Sequence, residues 1–145
     1  MTIERMDHVG IVVNDLAGAM AFFTELGLEL DGEAHVEGSW VDRVIGLEGV
    51  RAGIAMMRTP GGQGRVELST FQEPAAVSGD SSAPANALGI RHVSFAVKGI
   101  DTVLQRVQAK GYDLIGQLEQ YESTYRLCYI RGPEGIIVEL AEAID

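Results

Sequence analysis

Apolar residues alternate with small or polar ones in two short runs of this chain, and both runs begin beside a histidine. In DHVGIVV (7–13), Val9, Ile11 and Val13 fall on one side while His8, Gly10 and Val12 fall on the other. In RHVSFAV (91–97), Val93, Phe95 and Val97 oppose His92, Ser94 and Ala96. A period of two predicts a β-strand for each run. The spacing then changes to that of a helix: Leu16, Met20, Phe23 and Leu26 form one apolar stripe, and Ile100, Val103, Leu104 and Val107 another. Asp15 and Asp101 stand where N-caps belong, and Gly27 and Gly111 where a left-handed residue ends a helix. Three strands are predicted after each helix. The last two would be joined by the glycine-rich turns PGGQG (60–64) and RGPEG (131–135).

The chain therefore repeats a βαβββ module. Residues 7–33 lie over residues 91–117 without a gap, with His8 over His92, Val9 over Val93 and Gly27 over Gly111. RVELSTF (65–71) and IIVELAE (136–142) share Val-Glu-Leu, which places Glu67 over Glu139. Between the copies, QEPAAVSGDSSAPANALG (72–89) is small, polar and aperiodic, as a linker is. One such module is too small to bury its sheet comfortably. We expect a single domain over residues 1–145, with module 1 at about 1–71, a linker at 72–89 and module 2 at about 90–145.

Composition narrows the possibilities. At 46% apolar and 22% charged residues the chain reads as a soluble globular protein. No apolar stretch reaches the roughly 18 residues of a membrane span, and the N-terminus MTIERMDHVG lacks the apolar core of a secretory signal, so a cytoplasmic location is expected. The single cysteine, Cys128, excludes an internal disulfide framework. A net charge of −10 leaves no basic stripe for nucleic acid.

The candidate chemistry lies on the faces that the bulky residues leave. Gly10, Ser94 and Ala96 leave space beside the two histidines. Glu67 and Glu139 each sit between Val and Leu in an apolar strand, where an ionised carboxylate needs a partner or a metal. A histidine at a strand start is ordinarily a half-exposed polar residue, and a glutamate in a last strand can face water. Packing alone, however, would preserve Val9 and Val93 rather than a polar pair on the opposite face. Two imidazoles and two carboxylates at repeat-equivalent positions can satisfy one another through a divalent ion such as Ni, Zn, Co, Mn or Fe. His35 has no counterpart in the repeat and reads as an exposed strand residue.

From DHVGIVVNDL to EGIIVELAE the chain resembles the vicinal oxygen chelate superfamily: glyoxalase I, methylmalonyl-CoA epimerase, extradiol dioxygenases, and the fosfomycin and bleomycin resistance proteins. The resemblance implies an α+β fold in which tandem βαβββ modules form a cupped half-barrel mixed sheet with helices outside. It also implies that His8, Glu67, His92 and Glu139 ligate one divalent metal. That ligand pattern is most similar to bacterial glyoxalase I, whereas the epimerases often carry glutamine where this chain has Glu67. Extradiol dioxygenases and fosfomycin enzymes use three ligands, and bleomycin-binding relatives lack the metal residues. The implied activity is lyase or isomerase chemistry, lactoylglutathione-lyase-like or methylmalonyl-CoA-epimerase-like. In it a proton moves next to a metal-chelated oxygen of a small-molecule substrate, with Glu139 as first choice of base and Glu67 as second. The alternatives are a ring-cleaving dioxygenase or an antibiotic-binding resistance protein without turnover. A homodimer is expected, with neither nucleic acid nor membrane as partner.

Overall fold

The computed structural model describes residues 1–145 and contains two units, Met1–Ser78 and Gly79–Asp145. Strands form where the period of two predicts them, and helices where the spacing lengthens.

In the first unit β1 (Val9–Val12) leads into α1 (Leu16–Leu26), then β2 (Glu29–Glu37), α2 (Ser39–Ile45), β3 (Arg51–Arg58) and β4 (Arg65–Glu73). The sheet order is β1-β4-β3-β2, with β1 parallel to β4 and the other pairs antiparallel. Asp15 caps α1 as expected, its carboxylate accepting the Gly18 amide at 2.9 Å. Gly27 ends the helix at φ 110°, a conformation that favours glycine. The helix buries Ala19, Phe22, Phe23 and Leu26, so its inward stripe is centred beside the one marked by Leu16 and Met20. Val66 and Leu68 of β4 and Ala55 and Met57 of β3 are buried with them, and register partners place Val9 and Ile11 on that same face. The short helix α2 was not foreseen. It closes the end of the sheet through Val41, packed with Val50 and Ala52, and the Asp42 carboxylate accepts the amides of Gly49 and Val50.

The second unit repeats the plan with β5 (His92–Ala96), α3 (Ile100–Ala109), β6 (Asp113–Leu114), β7 (Glu119–Tyr121), β8 (Tyr125–Arg131) and β9 (Ile137–Ala143). Its sheet runs β5-β9-β8-β6, with β7 added on β8 and β5 parallel to β9. The stripe Ile100, Val103, Leu104 and Val107 is buried as predicted, together with Ile130, Val138 and Leu140 of the sheet. Gly111 takes φ 95° beyond the helix end. Asp101, however, is not the N-cap. Gly99 holds that position, and Glu142 of β9 accepts the amides of Gly99 at 2.6 Å and Ile100 at 3.1 Å. Asp101 instead pairs with both terminal nitrogens of Arg126 on β8.

The expected hairpin turns fall at residues 59–64, between β3 and β4, and at residues 132–136, between β8 and β9. The segment between the modules is partly ordered by its neighbours. β4 continues through Glu73, and further on Arg131 donates to the carbonyls of Ser81, Ala83 and Gly135. The fold is thus α+β, with three α-helices and two mixed sheets, neither closed into a barrel.

Candidate metal centre

The register of each sheet decides which side chains share a face. In the first unit Gly10 lies opposite Glu67, and His8 stands two residues before Gly10, so His8 and Glu67 are diagonal neighbours on one face. In the second unit Ser94 lies opposite Glu139, and His92 stands two residues before Ser94. The relationship is the same. In both, the helix covers the opposite face, and the histidine side keeps small neighbours. A Cβ placed on Gly10 would meet nothing within 4 Å, so open space lies beside His8.

His8 and Glu67 are brought together outright, with Nε2 3.5 Å from Oε2. Two donors each about 2.1 Å from one ion stand about 3.0 Å apart at a right angle and about 3.4 Å at the tetrahedral angle. The pair therefore lies within reach of a shared ion with little adjustment, and a neutral imidazole with a carboxylate is a donor set that divalent metals take. His92 meets Tyr129 instead: the phenol oxygen is 3.4 Å from Nδ1, and the rings lie 4.9 Å apart. Tyr129 is the register partner of Glu139, so phenol, imidazole and carboxylate share a face. Each unit thus supplies two of the four expected donors, and in neither do three or more His, Cys, Asp or Glu side chains converge.

Sequence reasoning missed the groups behind these donors. Asp7 accepts from His8 Nδ1 at 2.7 Å and from Arg65 Nη2 at 2.6 Å through one oxygen, and from Arg5 at 3.2 Å through the other. These bonds, that from His8 foremost and Arg65 next, hold the Asp7 carboxyl below the usual carboxylate range. Arg65 also lies 3.6 Å from Asp31, which in turn lies 3.6 Å from Arg58. The signal was present in the sequence: Asp7 immediately precedes the first histidine, and its counterpart in the second copy is Arg91.

Several arginines and aromatic residues outside these strand starts are paired or exposed. Arg126 is held by Asp101, Arg51 lies 4.0 Å from Glu37, and Trp40, Tyr121 and Tyr125 are exposed, the two tyrosines being cross-strand partners. His35 is an exposed residue of β2, 3.7 Å from Glu37.

The family model described as Glyoxalase/Bleomycin resistance protein/Dioxygenase superfamily matches residues 7–129. The chain belongs to that superfamily. A glyoxalase family protein from Bacillus cereus is 48% identical over 100% of this chain and 97% of its own, with a TM-score of 0.96. The glyoxalase family protein from Enterococcus faecalis shares the fold at 21% identity and a TM-score of 0.66, covering 98% of this chain and 100% of its own. The genomically encoded fosfomycin resistance protein FosX from Listeria monocytogenes, solved as a mutant with Mn(II) and 1S,2S-dihydroxypropylphosphonic acid, shares it at 15% identity and a TM-score of 0.62 over 96% of this chain and 90% of its own. No curated protein matches the chain. No helix is long and apolar enough to cross a membrane.

Proposed function

We propose that this chain is a metal-dependent, glyoxalase-like lyase or isomerase that moves a proton at the carbon next to a chelated oxygen. The reaction would be lactoylglutathione-lyase-like or methylmalonyl-CoA-epimerase-like. The observation that carries the reading is the repeated register, His two residues before the partner of Glu, with His8 Nε2 and Glu67 Oε2 already 3.5 Å apart. Membership of the superfamily supports it.

In this reading His8, Glu67, His92 and Glu139 hold one divalent ion, Ni, Zn, Co, Mn or Fe, with the two modules drawn from one chain or from two. A bound ion supplies Lewis acidity to a substrate oxygen, which makes the neighbouring carbon acidic. The protein does the rest. Neutral imidazoles would hold the ion, His8 through the Nε2 that faces Glu67, and the small residues Gly10, Ser94 and Ala96 leave room for a small-molecule substrate. Glu139 takes the proton from carbon through a carboxylate oxygen and returns it, with Glu67 as the alternative base. Open edge strands at the ends of both sheets support a homodimer, and the unpaired, buried Cys128 fits the cytoplasm.

The test joins metal and proton. Protein stripped of metal is titrated with each candidate ion, and hemithioacetals and acyl-CoA epimers are then followed for deuterium exchange at the acidic carbon. Binding of one ion, exchange with wild-type protein, and a loss of about 100-fold or more in Glu139→Gln with metal largely retained support the proposal. Metal binding without exchange of any chelating carbonyl compound, alongside ring cleavage of a catechol or tight binding of an antibiotic, overturns it.

A further inference from the structure

We infer that Asp7 is the positioning residue of the first half-site: it keeps the hydrogen of His8 on Nδ1 and turns Nε2 toward Glu67, a provision that the second half-site lacks. The inference rests on reading His8 and Glu67 as ligands. An ionised carboxylate can only accept, so at 2.7 Å from Asp7 the imidazole hydrogen is on Nδ1. In the neutral ring the lone pair is then on Nε2, the nitrogen facing Glu67. Asp7 is itself fixed. Arg65, at the start of β4, and Arg5 donate to its two oxygens, so the histidine is oriented by the strand that carries Glu67 two residues further on. A carboxylate behind a metal-binding imidazole sets its tautomer and raises its basicity.

The second copy serves as an internal comparison. It repeats the histidine and the glutamate but puts Arg91 where Asp7 stands, and Arg91 donates to the Ile90 carbonyl. His92 Nδ1 has only the Tyr129 phenol, at 3.4 Å. A phenol both donates and accepts, so it fixes neither tautomer. The two histidines are therefore unequal: His8 is held ready as a ligand, whereas His92 has no carboxylate behind it to set its tautomer.

The experiment uses the full chain stripped of metal. Long-range proton–nitrogen NMR spectra, recorded above the pH at which the rings titrate, read the tautomer of each histidine, and calorimetry with Zn(II) alone reads affinity. In wild type His8 is expected mainly as the Nδ1–H form. Asp7→Ala should return it to the Nε2–H form that free imidazole prefers, and should weaken Zn(II) binding by about 10–100-fold. Asp7→Asn, which keeps an acceptor and the shape, should fall between, and it stands in should the alanine variant not fold. Arg91→Ala should leave both readouts unchanged. An unaltered His8 tautomer and Zn(II) affinity in Asp7→Ala, with wild type binding zinc, overturns the positioning role and leaves the ligand reading intact. Wild type that binds no zinc overturns the ligand reading and the metal part of this inference with it, while the tautomer ratio still decides what Asp7 does to His8.

Discussion

Glu142, on the last strand, caps a helix to which it is not adjacent in sequence: its two carboxylate oxygens take the amide hydrogens of Gly99 and Ile100 at 2.6 and 3.1 Å. These two bonds hold its carboxyl below the usual range for a glutamate, and an ion pair with Arg126 does the same for Asp101. A carboxyl group with a lowered folded-state pKa adds stability that is complete above its unfolded value and is lost as pH falls through the folded value. Urea midpoints should therefore hold from neutral pH down to the ordinary carboxylate range, at about pH 4, and decline below it. Glu142→Gln should lower the midpoint at neutral pH and flatten the acid decline. A parallel decline in variant and wild type would remove Glu142 from the account.

Gly135 is fixed for two reasons at once. Its φ of 87° disfavours any side chain, and an added Cβ would press on the carbonyl oxygen and Cα of Ser81. Gly62, at φ 74°, carries only the first restriction, because nothing lies within 4 Å of its Cβ position. Gly62→Ala should cost about 1 kcal/mol. Gly135→Ala should cost about 2–4 kcal/mol, the backbone term plus the clash. Chemical denaturation of both variants measures the difference.

Arg131 spans three carbonyls, those of Ser81, Ala83 and Gly135. Arg131→Met should destabilise by about 1–3 kcal/mol, since charge-assisted bonds are lost and carbonyl groups are left without a donor. Arg131→Lys should recover little of this, because an ammonium cannot reproduce the planar fork. Amide exchange across residues 80–88 should accelerate in both variants. Unchanged protection there would show that other contacts hold the segment.

Metal should stabilise the fold it binds. At a free Zn(II) concentration about 100 times the dissociation constant, the gain is about 2.7 kcal/mol, visible as a higher thermal midpoint. His8→Ala and His92→Ala should each remove most of that shift. Val36→Ala, which trims the cluster under α2, should lower the midpoint while keeping the metal-induced rise. An equal shift in the His8→Ala, His92→Ala double variant would place zinc elsewhere.

What was legible in the sequence was whatever depends on local period. Alternation gave β1 and β5 and sorted their faces, and helical spacing with Asp15 and Gly27 gave α1 with both ends. The helix α2 escaped because it spans 7 residues and buries only Val41, too short a stripe to register as a period. The cap on α3 escaped because it is tertiary: Asp101 satisfies the local rule, but Glu142 reaches the amides first and leaves Asp101 to Arg126. The site divides in the same way. Parity sorts His8 and Glu67 onto the face away from the bulky residues of each strand, whereas their diagonal placement and the partnership of Asp7 with Arg65 depend on how the two strands are placed in register.

In each unit the histidine stands at the start of the strand that opens the module, His8 just before β1 and His92 as the first residue of β5, and the glutamate lies on the strand that completes it, its parallel neighbour. The antiparallel pairs β2–β3, β3–β4 and β8–β9 join consecutive strands and can zip locally. The parallel pairs close only when the whole intervening chain is in place, at the entropy cost of a long loop. The histidine and glutamate of a unit therefore come together only once its last strand has docked. An ion that took both side chains of such a pair would tie the first strand of a unit to its last, opposing fraying from either end as a covalent cross-link would.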